Sequence, residues 1–175
     1  EARFDIATGE IECSFIGPAE CVRGTRYLSR RWRFSERPAD AKSDFSIREA
    51  IPAAALLSAA CVRRRFASFP GLMRWTFKYK YRPTRRTRGD LARLISALDA
   101  VRPLLPCDVN CLDIAAAAAR IASRWGLQPQ LVVGMRTAPL TIHAWTEVHG
   151  MPFTDAADVR DYYAVLATFP DDSRL

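Results

Sequence analysis

Cys111 is the residue of this 175-residue chain best placed to act as a nucleophile. It follows Asn110, a good N-cap residue, and so falls in the first turn of an expected helix. Free backbone N–H groups and the positive end of the helix dipole favour thiolate over thiol at such a position. The same N–H groups can hold an oxyanion when a carbonyl is attacked. The plainer alternative is a buried, inert cysteine. His143 and Asp155 weigh against it. A hairpin folded about residue 149, where His149-Gly150 supplies turn chemistry, sets His143 and Asp155 directly opposite each other. Opposed residues in antiparallel strands keep Cβ atoms about 4.5 to 5.5 Å apart and share a face. Asp155 can then hold one imidazole nitrogen and leave the other to take the cysteine proton. A slip of one residue breaks the pairing.

Trp145 and Glu147 share the His143 face of the expected strand. Trp145 either walls the site as a substrate contact or is a core aromatic. Glu147 lies too near the turn to orient the histidine, which leaves Asp158 as the rival to Asp155 for that task. Cys107, Cys111, His143 and His149 carry the donor types of a tetrahedral zinc site. Three residues between the cysteines and five between the histidines are poor ligand spacings, so no metal is expected. The sequence holds no Walker-type phosphate loop, and no cofactor is expected either.

The elements that must position these residues follow from periodicity and punctuation. Residues 3–7 and 11–16 read as a short hairpin about Thr8-Gly9, and Pro18 can open a helix running to Leu28. Residues 37–46 are polar and Pro-containing, the best linker. Residues 45–69 read as a helix broken by Pro70-Gly71, with the stretch to Tyr81 ambiguous. Asp90 is a plausible N-cap for a helix carrying Leu91, Leu94, Ile95, Leu98 and Val101, which Pro103 ends. The next helix spans residues 111–125, closed by Gly126. Strands follow at residues 131–133, 140–148, 151–154 and 162–169. Helices followed by antiparallel strands define an α+β fold.

Charge divides the chain. Residues 1–90 hold 19 Lys/Arg against 10 Asp/Glu, and residues 91–175 hold 7 against 9, so the whole basic excess lies in the first half. Its clusters include Arg63, Arg64 and Arg65, then Arg85, Arg86 and Arg88. An acidic partner fits such a field, and so does a plain solvated face. Nucleic acid is the generic partner, yet no motif of an RNA- or DNA-binding module accompanies the charge, and none is expected. No apolar run approaches the roughly 18 to 20 residues of a membrane span, so no membrane partner is expected. No basic–apolar–small leader opens the sequence, and five cysteines at irregular spacing favour free thiols in a reducing cytoplasm.

Cys111-Leu112 opening a helix, Gly126 ending it, residues 131–135 as Leu-Val-Val-Gly-Met, then His143-Ala144-Trp145-Thr146-Glu147 and Asp155 together resemble one family. It is the transglutaminase-like cysteine protease of lasso-peptide biosynthesis, the B-type leader peptidase. The resemblance covers about residues 50–170 and departs from the family in the all-alanine run at 115–119. It implies a transglutaminase/papain-like core, with helices packed on an antiparallel sheet, over residues 49–175. Residues 1–48 would then form a hairpin–helix segment, a partial winged-helix-like leader-recognition module. By the same match Cys111 is nucleophile, His143 general base and Asp155 the orienting carboxylate. Trp145, from its place on the His143 face, and Arg85, Arg86 and Arg88, from the basic field, are the expected substrate contacts. The implied partners are a precursor peptide with its leader, an asparagine-synthetase-like cyclase and a separate leader-recognition protein. Amide or acyl transfer through the same acyl-cysteine is the alternative chemistry, and a basic binding module for nucleic acid or zinc the non-enzymatic one.

Overall fold

The computed structural model describes residues 2–4, 11–13, 46–78, 88–137 and 139–170. Two short strands, β1 (Ala2–Phe4) and β2 (Ile11–Cys13), pair antiparallel with Ala2 opposite Cys13, within the expected hairpin but shorter. The helix expected from Pro18, and Arg85 and Arg86, lie outside the described residues.

Helix α1 (Ile47–Phe66) starts at Ser46, whose N–H donates to the Glu49 carboxylate at 2.8 Å. The expected division between residues 48 and 49 therefore falls in its first turn. Pro52, the sixth residue of α1, lies inside the helix and leaves the Arg48 carbonyl without its helical N–H donor. Pro70-Gly71 does not break this helix, contrary to expectation. α1 ends at Phe66, and Pro70 instead begins α2 (Phe69–Thr76), capped by the Ser68 hydroxyl. Proline belongs at a first turn for the same reason that it cannot sit later. In α3 (Arg88–Val101) Asp90 lies inside the first turn rather than capping it, and a 3₁₀ turn at Arg102–Leu104 follows. Helix α4 (Cys111–Arg124) begins at Asn110 as expected, and Gly126 after it takes φ 74°.

The chain then builds β3 (Pro129–Thr137), β4 (Leu140–Val148), β5 (Met151–Pro152), the single turn α5 (Val159–Tyr162) and β6 (Ala164–Phe169). The last strand starts after Tyr163 because Tyr162 closes the helical turn. The four strands form one antiparallel sheet in the order β5-β4-β3-β6. Its inner face packs on the helices through Leu131, Val133, Ala144 and Phe169 against Leu57, Leu72, Leu98 and the alanines of α4. All five alanines at 115–119 are fully buried, so α4 runs as the central helix with its backbone close to its neighbours. The buried Thr146 hydroxyl donates to the Ala115 carbonyl at 2.8 Å, tying β4 to α4. The outer face carries a smaller cluster of Val132, Trp145, Val159 and Tyr163 beneath the segment after β5.

The β4–β5 hairpin differs from the expected one. Glu147 pairs with Pro152 and Val148 with Met151, so the fold axis lies between His149 and Gly150, not on His149. Both turn residues have positive φ, 53° and 73°, as a two-residue hairpin turn of this hand requires. β5 ends at Pro152, and the Phe153 N–H still donates to the Thr146 carbonyl at 3.0 Å, but the Thr146 N–H turns to the Thr154 hydroxyl instead of back to Phe153. Residues 153–155 bend instead of extending the strand.

Candidate active site

Three elements converge on the first turn of α4. The Asn110 side chain accepts from the Asp113 N–H at 3.1 Å, and Asp113 in return accepts from the Asn110 N–H at 3.0 Å. This reciprocal cap fixes where the helix starts and hence where Cys111 sits. The Cys111 thiol hydrogen-bonds the His143 ring and receives the backbone N–H groups of Leu112 and Ala144. His143 Nε2 in turn hydrogen-bonds Asp155 Oδ2, which leaves Nδ1 as the nitrogen free to serve the thiol. The other Asp155 oxygen accepts from the Ala156 N–H at 2.7 Å, so the carboxylate is held at both ends.

Asp155 does reach His143, but not by the route the sequence suggested. The hairpin register is one residue away from the expected one, and no ladder connects the two residues. The bend after Pro152 carries the carboxylate back instead, helped by Thr154, whose hydroxyl accepts from the Thr146 N–H at 2.7 Å. Asp158 stands exposed at the start of α5.

Electrostatics follow from these contacts. Burial pushes the Cys111 thiol up, yet the His143 contact and the two backbone N–H groups outweigh it and hold the thiol below its ordinary 9.0. Burial pulls His143 down, while its bonds to Asp155 and Cys111 raise it to about 9. Between those limits the pair is thiolate and imidazolium. Cys61 behaves oppositely: burial, with contacts to Cys107 and Asp113, pushes it up to about 12, and it is no nucleophile. Cys107 is exposed on the loop before α4. Among the described residues no group of three or more His, Cys, Asp or Glu side chains could hold a metal.

Trp145 corrects one expectation. It has no exposed surface, so it offers nothing for a substrate to touch. Its ring stacks behind His143, centroids 6.0 Å apart, and its Nε1 donates to Glu147 Oε1 at 2.7 Å. Glu147, also fully buried, is held by both Arg160 Nε and Nη2 at 2.7 Å. Tyr163 packs against both rings, its centroid 5.1 Å from the imidazole and 6.2 Å from the Trp145 ring. Arg88 opens α3, away in sequence from all of these.

Sequence reasoning missed Arg64, Asp113, Arg160 and Tyr163. Asn110 and Asp113 stand at capping-box spacing, a signal available in the sequence. Arg64 was hidden in a basic run, and nothing in the sequence marks Glu147 as buried or Arg160 as its partner.

A helix-first cysteine set against a strand histidine and a following aspartate is the arrangement of papain-like and transglutaminase-like enzymes. A sequence profile of the Transglutaminase-like superfamily matches residues 53–168, and the chain belongs to that superfamily. Among curated proteins the chain is similar to the microcin J25-processing protein McjB of Escherichia coli, 38% identical over 58 residues. That match covers 33% of this chain and 28% of McjB. No solved structure matches significantly.

Proposed function

We propose that this protein is a cysteine peptidase that removes the leader from a lasso-peptide precursor, with Cys111 as nucleophile, His143 as general acid and base, and Asp155 as its orienting carboxylate. The observation that carries the reading is the unbroken contact from Cys111 through His143 to Asp155 at the start of α4. The similarity to a microcin J25-processing protein supports the choice of peptide substrate. In this reading the Cys111 thiolate adds to the carbonyl at the leader–core junction. The charge passes to the carbonyl oxygen at the positive end of the α4 dipole, where the Cys111 N–H can receive it. The tetrahedral adduct collapses as imidazolium gives its proton to the departing core amine, leaving the leader as a thioester on Cys111. His143 then takes a proton from water, the hydroxide adds to the thioester, and the leader acid leaves as thiolate re-forms.

The freed core amine suits a separate cyclase of the asparagine-synthetase-like kind, and the basic first half of the chain suits docking of the leader or of an acidic face on that cyclase. A cytoplasmic location agrees with the free thiols of Cys61, Cys107 and Cys111. No helix among the described residues is long and apolar enough to cross a membrane.

The test is mass spectrometry of a lasso-peptide precursor, leader and core together, after incubation with each variant. Cys111→Ala leaves the precursor uncut, while Cys107→Ala cuts as wild type. A leader product bearing an added amine in place of a free acid would instead assign acyl transfer. Full cleavage by Cys111→Ala would overturn the assignment.

A further inference from the structure

Asp113 is a fully buried carboxylate one turn-third beyond Leu112, on the helix that Cys111 opens. Two residues on from Cys111, its side chain leaves the helix on another face, toward α1. Arg64, from the last turn of α1, meets it. Arg64 Nε lies 2.9 and 3.0 Å from the two Asp113 oxygens, and Nη2 donates to the Asp108 carbonyl at 2.9 Å. Because Asp113 also accepts from the Asn110 N–H, one guanidinium braces the approach loop, the cap and the first turn together.

We infer that Arg64 is a positioning residue for Cys111: through the Asp108 carbonyl and the Asp113 carboxylate it fixes the backbone on either side of the thiol. The inference rests on the reading of Cys111 as nucleophile. Stability alone is a weak reason for the pair, since apolar residues of similar volume brace a buried contact at least as well. What they lack is a fork that holds a carboxylate and a loop carbonyl at once. The ionisable groups facing this end of α4 are Cys61 and Arg64 from α1, Cys107 and Asp108 from the approach loop, and Asp113 on α4 itself. His143 faces it from β4, with Asp155 behind the ring and Tyr163 beside it.

The experiment compares Arg64→Lys, Arg64→Met and the double variant Arg64→Met/Asp113→Asn with wild type, folding being checked by circular dichroism. Two readouts are taken: cleavage kinetics on the precursor peptide, and the pH profile of Cys111 alkylation by iodoacetamide, resolved from Cys61 and Cys107 by peptide mapping. Arg64→Met frees the loop and the cap, and the thiol loses its set place against the His143 ring and the Leu112 N–H. The alkylation midpoint then rises by about one pH unit and kcat falls about tenfold with KM unchanged. The double variant lacks the fork too and shows the same two changes. Arg64→Lys keeps a contact to Asp113 and loses the fork, so both changes are smaller than in Arg64→Met. If Arg64→Met does not fold, the double variant and Arg64→Lys decide. Wild-type kcat in both would overturn the inference, as would a wild-type midpoint in a folded Arg64→Met. The alkylation arm needs no precursor, so failure of the peptidase reading, seen as cleavage by Cys111→Ala, is distinguishable from failure here.

Discussion

At the scale of single residues, the site is an ion pair held in register by a carboxylate. A thiol held below 9.0 and an imidazole raised to about 9 define a window of pH in which both charges stand. The rate of cleavage rises as pH passes the lowered Cys111 value and falls as pH passes about 9, where His143 loses its proton. A kcat/KM profile with a basic limb near pH 9 is the expected measurement, and a limb near 6.5 would contradict the contacts described. Asp155→Asn removes the carboxylate that raises His143, so the basic limb moves toward lower pH. The amide also holds the ring less well, and kcat falls on the order of 10²-fold or more. Cys111, His143 and Asp155 were all singled out in the sequence from type and spacing, and the structure brings them together. The route by which Asp155 arrives was not legible, because the Thr154 hydroxyl takes the Thr146 N–H that an extended ladder would have used. Trp145 was legible as one of two things, and its burial decided for the core.

At the scale of elements, two close contacts hold β4 in place, and each predicts a cost. A Cβ on Gly134 would stand 2.7 Å from the Trp145 ring and 2.9 Å from the Tyr163 Cβ. Gly134→Ala therefore overpacks the outer face of the sheet at about 1–3 kcal/mol, read as a lower urea midpoint at unchanged slope. The side chain displaced is the one stacked on His143, so activity falls with stability. The second contact is the Glu147–Arg160 pair. Burial raises the Glu147 carboxyl, but Arg160 and the Trp145 indole bring it below its ordinary 4.5. A depressed carboxylate stabilises above its unfolded pKa, and the gain is lost as pH falls through the folded value. Arg160→Met leaves a buried charge unpaired and costs about 3 kcal/mol at neutral pH. That deficit narrows on acidification below about pH 4 as the carboxyl becomes protonated in both proteins, measurable by denaturation at two pH values. The helix around Leu94 and Leu98, the Asn110 cap and strand β4 were legible from period and punctuation. Pro70 was misread because proline marks a helix start as readily as a stop, and only the chain on either side distinguishes them.

At the scale of the molecule, the α+β order was plain from the sequence, since periods of helical spacing give way to strands after Pro129. The two-faced sheet was not: a second apolar cluster on its outer face depends on residues 153–163 folding back across it. The charge division remains a sequence property with a kinetic consequence. Replacing Arg85, Arg86 and Arg88 together by Gln raises KM for the full precursor at low salt and leaves kcat unchanged, and the difference shrinks as salt rises. Kinetics at two ionic strengths read it directly, and an unchanged KM at both assigns these arginines to a solvated face. The hydroxyl of Thr146 on the Ala115 carbonyl has a further consequence, in time rather than space. Cys111 leaves the ribosome well before His143 and Asp155, and until β4 is made and seated on α4 by that bond its thiol has no base beside it. On the proposed reading the chain is thus latent throughout its own synthesis, and its thiol gains a base only when the sheet closes on the central helix.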